Sequence, residues 1–164
     1  MGADEAKKAR TTVEVTMNLP PARGSYVLLF ENPADANLRV GKLGWVNFPA
    51  GYYVYFGSAK GSGGIRGRVG RHLRSEKKAH WHIDAVLQGM RVIAVGYAEG
   101  EEPYECIWSR RASEERGWDV PAAGLGASDC RAGCPAHLFF CGEKVIVLED
   151  LDARMTVMFL LSNL

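Results

Sequence analysis

The segment from Gly51 to Leu73, GYYVYFGSAKGSGGIRGRVGRHL, constrains the fold more than any other part of the chain. Its first part, Tyr52 to Phe56, consists of aromatic and β-branched residues, which favour a buried strand. The next eight residues include four glycines and two serines, a composition that predicts a loop with close backbone turns. From Ile65 onward, apolar residues recur every four positions, which predicts a helix. A strand, a glycine-rich loop and an arginine-rich helix in this order predict a phosphate-binding unit.

The predicted helix and its surroundings are strongly basic. Seven Lys or Arg residues and one acidic residue lie between Lys60 and Lys78, although the formal net charge of the chain is only +1. A concentrated basic surface suits a polyanion such as nucleic acid, whereas a solvated helix face is the simpler alternative. For His80, the simpler alternative is a hydrogen-bonded pair with Asp84, four residues further on. The residues that we predict to contact nucleic acid are Lys60, Arg66, Arg71, Arg74, Lys78, His80 and His82.

Hydrophobic patterns divide the rest of the chain into short elements. Strands are predicted at Gly24–Phe30, Tyr52–Ser58 and Arg91–Ala98, with a short strand or hairpin at Leu38–Val46. Helices are predicted at Ile65–Ser75, His80–Gln88 and Pro103–Arg116. Two further apolar runs, Ala136–Cys141 and Val145–Leu148, predict a C-terminal β-hairpin.

A length of 164 residues favours one domain. We expect this domain at residues 23–164, after a loose N-terminal leader or edge strand at residues 1–22. The order of elements predicts an α/β (α+β) fold in which a small central sheet of about three antiparallel or mixed strands is flanked by helices. The predicted C-terminal hairpin extends this sheet.

The N-terminal residues are polar and lack the apolar core of a signal peptide. No stretch approaches the ~18 apolar residues that are needed to span a membrane. We therefore expect a cytoplasmic protein that does not associate with membranes. In that compartment, four cysteines predict free thiols or metal ligands rather than disulfides.

A second group of candidate ligands lies near the C-terminus. The residues Cys130, Cys134, His137 and Cys141 follow the pattern C-x3-C-x2-H-x3-C and offer the sulfur and nitrogen donors that Zn²⁺ prefers. However, the two-residue spacing typical of paired zinc cysteines is missing, and Cys141 falls in a predicted strand. The pattern therefore favours ordinary buried thiols over a structural zinc site.

Two tripeptides, Gly24-Ser25-Tyr26 and Tyr55-Phe56-Gly57, resemble the signature of the GIY-YIG nuclease superfamily. The segment IRGRVGRH that begins at Ile65 resembles the helix that follows these tripeptides in the superfamily. Glu105 occupies the position of the superfamily's metal-binding glutamate. The segments HWHID and SDC…HLFF are similar to those of a prokaryotic branch, mostly of unassigned role, that is sometimes fused to an endonuclease III-like glycosylase.

This resemblance implies a metal-dependent endonuclease that hydrolyses phosphodiester bonds in nucleic acid, with DNA favoured over RNA. It implies a reacting cluster of Tyr26, Tyr55, Arg68 and His72, and it implies that Glu105 binds Mg²⁺ or Mn²⁺. It also points to a DNA-repair protein as a partner. The chemistry of the residues agrees, because a guanidinium can donate two parallel hydrogen bonds to a phosphate. Mg²⁺, in turn, takes one or two carboxylates together with substrate phosphate.

Two departures from the superfamily pattern leave a second function open. Ser58 stands where other members carry a lysine after the second tripeptide, and the asparagine found late in some members has no clear counterpart. A tyrosine is also a poor general base at its ordinary pKa of about 10, unless a cation such as Arg68 or a metal lowers that pKa. The alternative function is a nucleic-acid-binding module with the same fold and little or no catalytic activity.

Overall fold

The computed structural model describes residues 2–74 and 77–160, and within them a five-stranded antiparallel sheet forms the centre of the fold. Its strands are β1 (Gly24–Asn32), β4 (Gly51–Ala59), β5 (Arg91–Glu99), β6 (Leu138–Gly142) and β7 (Thr156–Phe159). They are arranged in the order β6-β4-β1-β5-β7. A separate hairpin consists of β2 (Ala36–Arg39) and β3 (Trp45–Phe48). The helices are α1 (Ala3–Asn18), α2 (Gly64–Leu73), α3 (His82–Leu87) and α4 (Tyr104–Glu114).

Strand β1 lies in the middle of the sheet and is covered on both faces. It pairs along its length with β4 on one side and with β5 on the other. Its side chains alternate, so that Tyr26 and Leu28 join one hydrophobic core while Val27 and Leu29 join the other. The nearly continuous apolar sequence of this strand follows from its two buried faces.

Helices pack on both faces of the sheet. The core on the first face includes Val15 of α1, Val69 of α2 and Val86 of α3. The core on the second face includes Trp108 of α4 and Leu151 from the C-terminal part of the chain. The α+β class with helices flanking a sheet is confirmed, but the sheet has five strands among the described residues rather than about three.

The predicted C-terminal β-hairpin is wrong. Strand β6 pairs with β4 at one edge of the sheet, and residues 145–148 form no strand. Instead, the chain crosses the second face, where Leu148 and Leu151 are buried, and continues into β7, which pairs with β5 at the opposite edge. Ile146 and Leu148 therefore pack in the second core rather than against a neighbouring strand, while Val145 and Val147 are exposed.

The N-terminal segment is a helix rather than a loose leader or edge strand. Val13, Val15 and Met17 alternate as in a strand, but only Val15 is buried, while Val13 and Met17 are exposed. Val15 and Leu19, four residues apart, both pack into the first core beside α2. The spacing of four residues is thus the one that the fold uses.

The predicted helix boundaries differ from the observed ones by a few residues. Helix α2 ends at Leu73, and the predicted end at Ser75 lies outside the described residues. Helix α4 begins immediately after Pro103, close to its predicted start. In the part of the chain that the structure describes, no helix has both the length and the apolar character needed to cross a membrane.

Candidate active site and metal-ligand cluster

A cleft of about 400 Å³ opens where β6 separates from β4. The two strands pair only between Tyr52 and Tyr55 of β4, so β6 does not cover the rest of that edge. The irregular chain before β6 lies there instead, and the backbone N–H of Phe56 donates to the carbonyl of His137 at 2.9 Å. Because the sheet is interrupted at this point, side chains from both of its faces can border one cleft.

The cleft has two walls of different construction. The strand–helix wall consists of Tyr55, Gly57 and Ser58 of β4, Arg68 of α2 and Trp81. The loop wall consists of Glu105 and Cys106 of α4 together with the cleft-lining residues between positions 126 and 137.

Two further residues predicted from the sequence, Tyr26 and His72, lie together behind the strand–helix wall, next to Tyr55. The rings of Tyr26 and Tyr55 have centroids 6.2 Å apart. The Tyr26 hydroxyl lies 2.6 Å from Nε2 of His72, which is only 3% exposed. Gly57 lies directly opposite Tyr26 in the strand register, and a Cβ at this position would lie 2.2 Å from Cζ of Tyr26. The glycine of the second tripeptide therefore leaves room for the tyrosine of the first.

Burial dominates the ionisation of these tyrosines. It raises the pKa of Tyr26 well above its ordinary value and the pKa of Tyr55 to about 12, although the nearby Arg68 guanidinium acts in the opposite direction. Arg68 thus has the predicted direction of effect but does not overcome desolvation. At neutral pH both hydroxyls stay protonated, so they act as hydrogen-bond donors rather than as general bases.

His72 is neutral in this environment. Burial lowers its pKa to about 3, against the opposing effect of the Asp84 carboxylate. Its Nδ1 has no hydrogen-bond partner among the described residues and lies 3.9 Å from Oδ1 of Asp84. The tautomer with its proton on Nδ1 fits this arrangement, and the Tyr26 hydroxyl then donates to Nε2. Because His72 is buried, it cannot contact a phosphate in this conformation, and its hydrogen bond is with the Tyr26 hydroxyl.

Arg68 borders the cleft with a free guanidinium. Its Cζ lies 4.3 Å from the centroid of the Trp81 ring, and Arg71 packs on the same ring at 4.4 Å. Within residues 2–74 and 77–160, no carboxylate forms an ion pair with Arg68. The tryptophan thus fixes the position of the guanidinium by cation–π contact and leaves its donors available to an anion.

Three of the cations predicted to bind nucleic acid are instead engaged within the fold. Arg71 forms a two-pronged ion pair with Asp84, at 2.9 and 3.0 Å. Arg66 donates to carbonyl groups at the end of α1, and Lys60 donates to the carbonyls of the turn after β5. The structure thus gives Lys60, Arg66 and Arg71 contacts within the fold, and their contact with nucleic acid stays a prediction.

One of the other predicted contacts borders the cleft. Arg74 lines a separate hollow beside α1, and Lys78 and His80 are exposed. His82 is the member of the predicted set that borders the cleft, and its Nδ1 accepts a hydrogen bond from the backbone N–H of Gly126. Asp84 accepts from the backbone N–H of His80, so the predicted pairing of these residues occurs through the main chain.

Glu105 lies in the first turn of α4 and reaches the cleft from the second face of the sheet. Its Oε2 accepts a hydrogen bond from the Ser25 hydroxyl, which the sequence interpretation missed. The clue was available, since Ser25 precedes Tyr26 on β1 and must point to the opposite face. The hydrogen bond fixes one carboxylate oxygen of Glu105, which is 9% exposed.

Three thiols and one imidazole converge directly beside Glu105. The ligand atoms of Cys106, Cys130, Cys134 and His137 all lie within 4.8 Å of one another, a cluster that could hold a metal ion. Three of these residues belong to the predicted zinc set, but the fourth is Cys106 rather than Cys141. Cys141 lies on β6 away from the cluster, with its sulfur 3.9 Å from the carbonyl oxygen of Phe139.

The sequence contained no local signal for Cys106, because 24 residues separate it from Cys130. Only the packing of α4 against the irregular chain brings the two sulfurs together.

At Cys130, burial raises the pKa of the thiol, but hydrogen bonds from the backbone N–H groups of Cys134 and Ala132 outweigh this effect. The pKa of Cys130 consequently lies below its ordinary value.

Comparison with known proteins identifies a family for this chain. No curated protein and no solved structure matches it. A family model described as "Domain of unknown function DUF123" matches residues 25–159, which include all of the sheet except Gly24, both tyrosines, Glu105 and all four members of the cluster. Since the match covers most of the sequence, the chain belongs to the DUF123 family.

Proposed function

We propose that this protein is a metal-dependent phosphodiester hydrolase of the GIY-YIG type, acting on nucleic acid and on DNA in preference to RNA. The observation that carries the proposal is the convergence of Tyr55, Arg68 and Glu105 on one cleft. Tyr55 of β4 and Arg68 of α2 belong to the first face of the sheet, and Glu105 of α4 belongs to the second face. The sequence resemblance selects the same three residues independently of their positions in space.

The cation of the cleft suits the charge of a phosphodiester. Phosphoryl transfer requires stabilisation of the charge that develops on the phosphoryl oxygens. A guanidinium is a permanent cation in proteins. Arg68 borders the cleft, is held in place by Trp81, and forms no ion pair with a carboxylate among the described residues. The protonated hydroxyl of Tyr55, beside it, adds a neutral donor.

The donor set beside Arg68 fits a hard divalent cation. Glu105 borders the cleft with one oxygen held by Ser25, and Asp129 supplies a second carboxylate on the same wall. Mg²⁺ and Mn²⁺ take carboxylate oxygens together with substrate phosphate and water. A cation held by Glu105 would supply further neutralisation of the phosphoryl oxygens. Arg68 and Tyr55 bind and orient the phosphate.

One observation favours a second candidate function, a nucleic-acid-binding module with little or no activity. Neither tyrosine is prepared to accept a proton, since burial raises the pKa of both. A cleft with a fixed arginine and the hydroxyl donor of Tyr55 can bind a phosphate without cleaving it. The two candidates differ in a single measurable property, which is turnover.

The test measures cleavage of supercoiled plasmid, branched DNA and structured RNA with Mg²⁺ or Mn²⁺. Glu105→Gln keeps the size of the side chain and removes its charge, and we expect a loss of roughly 10²–10³-fold in the rate of cleavage, the range seen when one electrostatic group is removed from an active site. Glu114→Gln is the matched control, because Glu114 is exposed near the end of the same helix. Its rate should equal that of the unmodified protein.

Equal rates for Glu105→Gln and Glu114→Gln would rule out the assigned site. If no substrate is cleaved but nucleic acid is bound with a steep dependence on salt, the binding module is the correct function. Arg68→Ala should then weaken binding in either case, because the cation contacts phosphate in both functions.

A further inference from the structure

We propose that Cys106, Cys130, Cys134 and His137 bind one zinc ion, and that this ion fixes the loop wall of the cleft next to Glu105. The zinc site itself does not depend on the proposed hydrolase; only the importance of the wall for turnover does. Sequence spacing alone favoured ordinary thiols here and selected Cys141 as the fourth ligand. The site follows from the arrangement of side chains in space.

The separations between ligand atoms match a tetrahedron around zinc. Zn–S bonds are about 2.3 Å long, so two sulfurs of a tetrahedral site lie about 3.8 Å apart. The sulfur of Cys106 lies 3.8 Å from the sulfur of Cys130 and 3.8 Å from Nε2 of His137. With Cys134 included, all four ligand atoms lie within 4.8 Å of one another. Small adjustments of side chains are enough to close the coordination sphere.

The donor set also identifies the metal and its role. Three thiolates and one imidazole suit Zn²⁺, whereas Mg²⁺ requires oxygen ligands. Four protein ligands fill the tetrahedral coordination sphere and leave no open position for water or substrate, as in structural zinc sites. Cys106 and His137 are each 7% exposed, so the metal would be shielded on this side. The ion therefore stabilises structure and does not take part in hydrolysis.

Backbone hydrogen bonds place the ligands in advance. His137 donates its N–H to Leu125 and accepts at its carbonyl from Phe56 of β4, both at 2.9 Å. The N–H of Cys130 donates to Ala127 at 3.1 Å, and Cys106 is held in the first turn of α4. Three ligands thus belong to the irregular chain and the fourth to a helix, so a metal would link the two.

This link is the reason why the site matters to the cleft. Residues 121–137 form no strand and no helix, so few regular hydrogen bonds hold them in place. Cys106 directly follows Glu105 on α4, and Cys130 directly follows Asp129. A metal bound to both cysteines would fix the separation between the two carboxylates that border the cleft.

The first experiment is metal analysis of the full chain, purified without chelator and dialysed against metal-free buffer. We expect about one zinc per chain, because a site with four preplaced ligands retains its metal through dialysis. Replacement by Co²⁺ should give the visible absorption and the sulfur-to-metal charge-transfer bands of a tetrahedral thiolate site. Less than about a tenth of a zinc per chain with no such cobalt spectrum, a disulfide within the cluster, or iron in place of zinc would each overturn the proposal.

Single substitutions identify the ligands. Cys106→Ser should reduce bound zinc at least about tenfold under the same dialysis, since serine is a poor zinc ligand. Cys141→Ser is the matched control, because it removes a cysteine of the predicted set that lies outside the cluster, and it should keep its zinc. Equal zinc content in the two variants would overturn the assignment. If Cys106→Ser fails to fold, the cobalt spectrum of the unmodified protein decides the question alone.

Hydrogen exchange tests the role of the ion. After chelation we expect protection to fall in residues 124–137 and in the first turn of α4, and to persist in β1 and β4. Equal loss along the whole chain, or no loss in the loop wall, would overturn the local role. Glu105→Gln should bind zinc normally. If the unmodified protein holds zinc but cleaves none of the substrates, that result refutes the hydrolase and leaves the zinc site standing.

Discussion

The two walls that border the cleft are stabilised by different interactions. The strand–helix wall belongs to β4 and α2, whose backbone groups are paired and whose apolar side chains enter the first core. The loop wall has turns and bends between residues 121 and 137, and its contacts are a few backbone hydrogen bonds and the cysteine–histidine cluster. The first wall is therefore stabilised by the whole sheet, and the second by a small number of local contacts.

This difference separates global from local stability. A change in the strand–helix wall should affect the unfolding of the entire domain, because β4 is paired on both sides over part of its length. A change in the loop wall should loosen the cleft while the sheet persists, since segments with few regular hydrogen bonds open at low free-energy cost. Each wall has a glycine in contact with one of the two tyrosines, which allows a direct comparison.

The largest effect is expected for Gly57→Ala in the strand–helix wall. The new Cβ would lie 2.2 Å from Cζ and 2.3 Å from the hydroxyl oxygen of Tyr26. Tyr26 is only 1% exposed and cannot move aside without disturbing the first core. We expect the free energy of unfolding to fall by about 3 kcal/mol, at the upper end of the cost of overpacking a core. Denaturant titration measures this quantity.

Gly61→Ala is the control for this substitution. Gly61 lies in the loop between β4 and α2, and a Cβ there would contact nothing within 4 Å. Its free energy of unfolding should change by less than about 0.5 kcal/mol. Similar losses for both variants would mean that the loop, rather than the close approach to Tyr26, makes glycine necessary.

A smaller and more local effect is expected for Gly126→Ala in the loop wall. Gly126 has φ +74°, and a Cβ would lie 2.8 Å from the Tyr55 ring. Strain in the left-handed region costs about 1–2 kcal/mol, and the contact adds to this cost unless the loop moves away from Tyr55. We therefore expect faster proteolysis of residues 124–137 and a loss of about 2 kcal/mol or less in the free energy of unfolding.

Gly124→Ala separates the two contributions. Gly124 has φ +80°, and a Cβ at this position would contact nothing within 4 Å, so the substitution introduces the backbone strain alone. The excess effect of Gly126→Ala over Gly124→Ala measures the contact with Tyr55. If Gly126→Ala destabilises the domain as much as Gly57→Ala does, the two walls do not differ in the way described.

The sequence predicts the elements that have a local apolar pattern, and it does not predict those whose position depends on distant contacts. The strands β1, β4 and β5 and the helices α2 and α4 were predicted to within a few residues, because their apolar periodicity is local. The C-terminal hairpin was wrong, since Val145–Leu148 has a strand-like composition but forms no strand, and only Ile146 and Leu148 pack in the second core. The pairing of β6 with β4 and of β7 with β5 joins strands far apart in the sequence, and no local pattern records it.

The candidate site shows a similar limit. The resemblance selected Tyr55, Arg68 and Glu105, and the structure brings all three to one cleft. It could not reveal that burial would raise the pKa of the tyrosines, because desolvation depends on the neighbouring elements. Cys106 was missed for the same reason, since its partners approach it only in the folded chain.

The last of the expected effects concerns acid, and it arises from His72 behind the strand–helix wall. His72 has a pKa of about 3 in the folded protein, against an ordinary value of 6.5. Between these values the unfolded chain binds a proton at His72 that the folded chain does not bind. Acid therefore favours unfolding, and the free energy of unfolding should fall with a slope that approaches about 1.4 kcal/mol per pH unit below pH 6.5.

His72→Gln should remove this contribution, because glutamine does not titrate and its amide oxygen can still accept a hydrogen bond from Tyr26. Denaturant titrations between about pH 7 and pH 5 compare the slopes of the two proteins. Asp84 contributes little to the difference, since its pKa of about 2 keeps it ionised throughout this window. His80→Gln, which replaces an exposed histidine, should retain the slope of the unmodified protein. If the free energy of unfolding falls equally with pH in His72→Gln and in the unmodified protein, His72 is not held neutral. Water then reaches His72 behind the strand–helix wall.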